Sequence, residues 1–317
     1  MTKGGRMRMA VAVAAPLAAV IVSGAAACGS GEGADGRPSI VAGFYPLQFV
    51  AERIGGQSVR VTTLTQPGAE PHDLELSPRQ VAELSTASLV LYLRGFQPAV
   101  DEAVQQSDVR ALDVATLVPL LTAEHDHDTD EAEDPGAEEP ADAAGARDPH
   151  VWLDPTRLAT IADAVATALA ELDPEGAAGY HARAADLRAD LTALDREFAD
   201  GLRDCARREI VVSHAAFGYL ADRYDLRQIP ITGLSPDTEP TPGELAAAVD
   251  AAREVGATTI FFETLVSPAV AQAVADAVGA ETAVLDPIEG LEPGATGDYL
   301  SVMRANLATL RPALGCS

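Results

Sequence analysis

Six histidines are spread along the 317 residues, and three of them, with one aspartate, fall where an α/β fold collects chemistry. His72 lies in the loop after the second predicted strand. His150 lies beyond the fourth. His214 directly follows the strand-like run Ile210-Val211-Val212-Ser213, and Asp286 ends the run Ala283-Val284-Leu285-Asp286. In doubly wound sheets the loops at the carboxyl ends of the strands line the ligand crevice. Three neutral imidazoles and a carboxylate meeting there would offer nitrogen and oxygen donors to a divalent transition metal. Each residue alone also has a plainer reading: a surface loop histidine, a core contact, a helix cap and a turn aspartate. Glu263, closing Ile260-Phe261-Phe262, is placed to accept a hydrogen bond from a ligating imidazole and orient it, or to serve as the fourth ligand itself. His181 sits among Arg and Ala on a predicted helix and reads as part of a solvated face.

The elements that would carry these residues alternate in type. Strands are predicted at 39–43, 59–63, 88–93 and 109–113, with helices at 46–54, 78–84 and 98–105 between them. From residue 209 the alternation returns, with strands at 209–213, 226–232, 258–262 and 282–286 and helices at 216–223, 242–255, 268–278 and 298–310. Alternating strands and helices predict parallel sheets covered by helices. A proline-started helix running into a β-rich stretch occurs at 78–93 and again at 242–262, so the halves read as two similar lobes with a cleft between them. A helix begins near Pro155. Asp173 as N-cap and Pro174 at the first position start another, free of proline to about 204 and roughly 45 Å long at 1.5 Å per residue. The expected organisation is an N-terminal lobe over 39–172, a rigid linking helix over 173–204, and a C-terminal lobe over 205–317.

The net charge of −26 argues against nucleic acid, whose phosphates need clustered Lys and Arg, and against docking on anionic lipid by charge alone. Ten acidic residues and two histidines, His125 and His127, fall within 123–147, where the scarcity of apolar residues predicts a mobile loop. That loop could collect metal weakly or be an inert insertion. The first 28 residues read as a targeting segment, with Lys3, Arg6 and Arg8 before an uncharged apolar stretch. Small residues ahead of Cys28 resemble a bacterial lipobox, in which Cys28 carries the lipid, although Ala25 stands where Leu is usual; residues 29–38 would be the tether. An ordinary cleaved signal is the alternative. Export permits disulfides, and with Cys28 assigned to lipid the remaining Cys205 and Cys316 are expected to pair.

From about Ser39 onward the chain resembles the zinc and manganese solute-binding proteins of ABC importers, the cluster A-I group. The resemblance rests on Pro67-Gly68-Ala69-Glu70-Pro71-His72-Asp73, on Asp148-Pro149-His150-Val151-Trp152-Leu153-Asp154-Pro155, on Ser213-His214-Ala215-Ala216-Phe217-Gly218-Tyr219, and on Leu285-Asp286-Pro287. It implies that His72, His150, His214 and Asp286 are the metal ligands, that two lobes are joined by a rigid helix, and that closure on binding is limited. The acidic loop with His125 and His127 partly resembles the His-rich loop of zinc receptors, and its deletion is expected to leave one tight site.

The resemblance further implies the role: an extracytoplasmic receptor that captures Zn²⁺ and delivers it to a membrane permease, tethered through Cys28, monomeric, and not an enzyme. Three imidazoles and one carboxylate suit zinc; Mn²⁺ would favour more oxygen, as where a carboxylate replaces the third histidine. Protons should compete for the imidazoles, weakening affinity below about pH 6. Two other classes use the same residues. A metal-dependent hydrolase would need an open coordination position and a base, for which Glu263 is the candidate. A receptor for a metal chelate would need aromatic or cationic walls, and the chain has one Trp.

Overall fold

The computed structural model describes residues 36–122, 147–236 and 238–317, with 1, 2 and 4. The expected lipobox at Cys28, the histidines 125 and 127 and most of the acidic loop lie outside the described residues.

Two four-stranded parallel sheets carry the fold. The first contains β1 (Ser39–Ala42), β2 (Arg60–Thr63), β3 (Leu89–Tyr92) and β4 (Ala111–Asp113) in the order β2-β1-β3-β4. The second contains β5 (Glu209–Val212), β6 (Arg227–Pro230), β7 (Thr259–Phe262) and β8 (Glu281–Val284) in the order β6-β5-β7-β8. The two orders are the same permutation, which supplies the topological counterpart of the repeated sequence pattern. The central strand β3 reads Leu-Val-Leu-Tyr and is buried at every position, as expected when helices cover both faces of a parallel sheet.

Helices start where the local chemistry dictates. Ser77 and Gln80 form a reciprocal capping box at α2 (Pro78–Ser85), and Thr241 and Glu244 form another at α7 (Pro242–Glu254), each with proline in the first turn. Asp298 and Ser301 cap α9 (Tyr299–Leu314) in the same way. The remaining α-helices among the described residues are α1 (Tyr45–Gly55), α3 (Pro98–Gln105), α4 (Pro155–Leu172), α5 (Ala177–Gly201), α6 (Gly218–Tyr224) and α8 (Ala269–Val278).

The long helix begins later than predicted. Asp173 is not its N-cap, which falls on Gly176 without a side-chain cap bond; Asp173 Oδ1 accepts from Gly176 N at 3.1 Å and its Oδ2 from the Tyr180 hydroxyl at 2.8 Å in the turn before the helix. Residues 174–176 wind through three-residue bonds, with Ala177 N donating to Pro174 O and Gly179 N to Gly176 O. Regular α-helix therefore covers 25 residues, about 38 Å. It packs on α1 and α4 of the first lobe and on α9 of the second. Ion pairs tie it to both sides, through Arg53 with Asp190 and Arg304 with Glu197.

Each lobe has its own small apolar cluster, one around Val90 and Leu84, the other around Ile260 and Val274. The largest cluster runs through both lobes and includes Phe44, Trp152, Phe217, Tyr219 and Tyr299. Three buried polar links cross with it. Trp152 Nε1 donates to Pro287 O at 2.7 Å, and the Tyr299 hydroxyl donates to Trp152 O at 2.5 Å. The Tyr219 hydroxyl accepts from Leu121 N at 2.9 Å and donates to Asp148 O at 2.7 Å. Cys205 and Cys316 are joined by a disulfide across 111 residues, fastening the chain beyond α9 to the segment after α5.

Candidate metal centre

The loops at the carboxyl ends of the strands converge between the sheets. His72 arrives on the loop between β2 and α2. Gln97, 2% exposed, donates from Nε2 to Pro71 O at 3.2 Å and to Thr65 Oγ1 at 2.9 Å, and the Thr65 hydroxyl donates to Gly43 O. Phe96 stands edge-on to the His72 ring at 4.6 Å. The far side of this loop touches the other lobe. Gly68 N donates to Leu291 O at 2.8 Å, and Gly68 has φ +85 beneath Pro293, where a Cβ would lie 2.9 Å from the proline ring. Only glycine meets both conditions without strain.

His150, fully buried, caps a short 3-10 turn, Val151–Leu153. Asp148 Oδ1 accepts from both His150 N at 2.9 Å and His150 Nδ1 at 2.8 Å, so one carboxylate oxygen fixes the backbone and the ring together. His214, also fully buried, is held similarly: its Nδ1 lies 2.8 Å from Glu263 Oε1, which also accepts from the Ser213 hydroxyl at 2.7 Å. A carboxylate behind Nδ1 holds a proton on that nitrogen and turns Nε2 inward as the atom that a metal would take once its own proton has left.

All three Nε2 atoms face a single oxygen, but it does not belong to Asp286. Glu289 Oε1 lies 3.1 Å from His150 Nε2, 3.1 Å from His214 Nε2 and 3.5 Å from His72 Nε2. One donor atom from each of His72, His150, His214 and Glu289 lies within 4.8 Å of every other. Asp286, expected as the carboxylate of this set, stands two residues past the end of β8 and turns away from it. Its Oδ1 accepts from Ile288 N at 2.7 Å and its Oδ2 from the Thr264 hydroxyl at 3.0 Å. The correction has a plain physical cause. Asp-Pro is a turn signature, and a turn aspartate tends to bond its own backbone two residues on, which leaves the next acid in the chain, Glu289, to reach the cleft. Read in that way, Asp286-Pro287-Ile288-Glu289 contained the signal. Glu263 stands behind His214 and not in the fourth place. His181 is exposed on α5, away from the cluster.

The electrostatics of the cluster are those of a site charged with protons. Burial disfavours the His214 cation, but Glu289 and Glu263 outweigh it and push its pKa up to about 10. His150 is likewise raised by Asp148 and Glu289 against its burial. Burial alone would raise the Glu289 pKa, yet His214 and the other imidazoles hold it well below the usual carboxylate range. Glu70 is pushed up to about 8, first by burial and then by the charge of Glu289. His72 Nε2 is buried without a hydrogen-bond partner, as is Glu70 Oε1. Buried polar atoms are rarely left unpaired, and those that are need an explanation such as an ion. Three imidazole nitrogens and one carboxylate oxygen within this span form a donor set suited to a four-coordinate zinc.

Two parallel α/β lobes that meet around a buried His₃-carboxylate cluster define a two-lobed protein with a candidate metal site between its sheets. The chain matches the family model described as the zinc-uptake complex component A, periplasmic, over residues 40–313, and it belongs to that family. It is 33% identical over 289 residues to the zinc-binding protein AdcA of Streptococcus pyogenes serotype M3, covering 88% of this chain and 56% of that protein. This chain thus spans little more than half the length of that relative. It is 29% identical over 293 residues to the high-affinity zinc uptake system protein ZnuA of Bacillus subtilis, with 90% of each chain covered. Among solved structures, the laminin-binding protein Lmb of Streptococcus agalactiae, described as a bifunctional adhesin and metal transporter, superposes with a TM-score of 0.76. It is 28% identical, and the match covers 87% of this chain and 99% of that one.

Proposed function

We propose that this protein is the extracytoplasmic receptor of a zinc importer, which captures Zn²⁺ between its lobes and delivers it to an ABC permease. Zn²⁺ is cargo here, held by His72, His150, His214 and Glu289. The observation that carries the reading is the convergence of three Nε2 atoms and one carboxylate oxygen, with His72 Nε2 buried and without a hydrogen bond. Membership of the zinc-uptake family supports the same reading. The nitrogen-rich set favours zinc over manganese, which prefers more oxygen. The likeness to bacterial lipoboxes around Cys28 supports a lipid tether, and the reading is of a monomer.

The donor set also favours carriage over catalysis. Four protein ligands fill a tetrahedral shell and leave no position for a metal-bound water. The one candidate base, Glu263, is occupied by His214 and Ser213. A chelate receptor would need an accessible pocket, whereas His150 and His214 are both 0% exposed.

Titration of the metal-free protein with Zn²⁺ and Mn²⁺ in competition with a chelator, together with elemental analysis of the purified protein, tests the reading. One tightly bound zinc per chain, with manganese much weaker, is expected. A preference for manganese, or no tight stoichiometric zinc, would overturn it.

A further inference from the structure

Asp286 is not in the cluster, yet it is surrounded by more specific contacts than a turn residue needs. We infer that Asp286 and Asn306 are positioning residues: together they lock a left-handed turn at Ile288 and thereby aim the Glu289 carboxylate at the three imidazoles. The inference rests on the metal-site reading above and assigns to these two residues the geometry of its carboxylate.

Ile288 has φ +59. For a β-branched residue this is a true outlier, since its Cβ crowds the backbone there. The only other non-glycine residue with positive φ among the described residues is Asp225, which ends α6 and belongs to a type that tolerates the conformation. Such strain persists only where the surroundings over-determine it, and it gathers at functional sites. Here the surroundings are explicit. Asp286 Oδ1 accepts from Ile288 N at 2.7 Å, closing the turn from inside. Thr264 anchors the other carboxylate oxygen. Asn306, a polar residue 2% exposed on the inner face of α9, grips both backbone polar groups of Asp286: Oδ1 accepts from Asp286 N at 2.9 Å, and Nδ2 donates to Asp286 O at 2.7 Å. Trp152 Nε1 holds Pro287 O, and the Ile288 side chain is sealed in the core at 0% exposure.

The residue immediately after this strained position is Glu289. Were Ile288 to relax to negative φ, the chain beyond it would leave in another direction and the carboxylate would swing away from the imidazoles. A side chain on α9 therefore sets the place of Glu289 in the cluster.

The test measures zinc affinity of the full chain by chelator competition, with thermal melting of the metal-free form to check folding. Asp286→Ala is expected to weaken zinc binding by about 10–100-fold, as loss of a group that orients a ligand typically does. Asp286→Asn keeps the Oδ1 acceptor and should lose far less. Ile288→Gly added to Asp286→Ala should recover most of the loss, because glycine takes positive φ without the Cβ clash. In a Glu289→Gln background Asp286→Ala should have no further effect, since there is no carboxylate left to aim. Should Asp286→Ala not fold, Asn306→Ala is judged by the same criteria. Unchanged affinity in Asp286→Ala while Glu289→Gln is weakened would sink the inference and leave the metal site standing. So would an equal loss with and without Glu289. If Glu289→Gln itself binds zinc as the parent does, the assignment of the carboxylate ligand fails, and the inference with it.

Discussion

If the cluster takes zinc as proposed, zinc and protons compete for the same lone pairs, and the geometry sets the size of the contest. In the free protein His214 is held between Glu289 and Glu263, and its pKa is pushed up to about 10. Zinc needs that imidazole neutral. At pH 7 the proton sits about three pH units below its pKa, so its removal costs about 4 kcal/mol of zinc affinity at 1.36 kcal/mol per unit. Affinity should then rise about tenfold per pH unit between pH 6 and 8 from His214 alone. Glu70, pushed up to about 8 by burial and Glu289, is also protonated near neutrality. A dication nearby favours its charged form, which steepens the slope below about pH 8. Unperturbed imidazoles would confine the weakening to below about pH 6; the carboxylates around His214 extend it through neutrality. Stability of the metal-free protein runs the opposite way. The His214 contribution is full below its ordinary value of 6.5 and is lost as pH climbs toward about 10. The assay is chelator competition from pH 6 to 8, with calorimetry at pH 7 in buffers of different ionisation enthalpy. Between about one and two protons should leave per zinc. An affinity flat across that range, with no proton release, would refute the reasoning.

Asp148→Ala and Glu263→Ala should each weaken zinc binding by about 10–100-fold while leaving the stoichiometry at one, because they remove the acceptors that orient His150 and His214; titration of either variant decides it. Replacing Cys205 and Cys316 by Ser opens a 111-residue loop and should destabilise the metal-free protein by about 2–5 kcal/mol in denaturant melts, with the affinity of the folded form little changed. Deletion of residues 123–146 should leave one tight zinc site, and loss of the high-affinity step in titration would contradict this. Scattering curves with and without zinc should nearly superimpose, since Trp152 and Tyr299 lock the lobes together by buried bonds; a marked fall in radius on loading would show those bonds to yield.

Much of this was legible in the chain before any coordinates. The eight strands and their alternation with helices follow from apolar runs bounded by turn residues, and the prolines at 78 and 242 mark helix starts that the structure reproduces. The three histidines stand out because each follows a strand and sits in a distinctive motif. What escaped was decided by side chains folding back on their own backbone. Asp286 looks like a ligand until its carboxylate is seen bonded to Ile288 N, and Glu289 reaches the three imidazoles just after a left-handed residue that no propensity scale would place there. Asn306 is invisible in sequence, since one asparagine on an amphipathic helix reads as surface. The start of α5 moved because the turn at 174–176 closes with three-residue bonds, a choice that cap and proline signals do not distinguish.

The aromatic seam between the lobes has one more consequence. Were the protein the receptor proposed above, halves sewn together by Trp152, Tyr219 and Tyr299 would offer nearly the same silhouette empty or full. Any membrane partner would then have to recognise cargo at the rim, where the backbone of Gly68 meets that of Leu291 beside His72 and Glu289. Unloaded copies would compete for the same dock, and the ratio of receptors to docks would become a brake on flux.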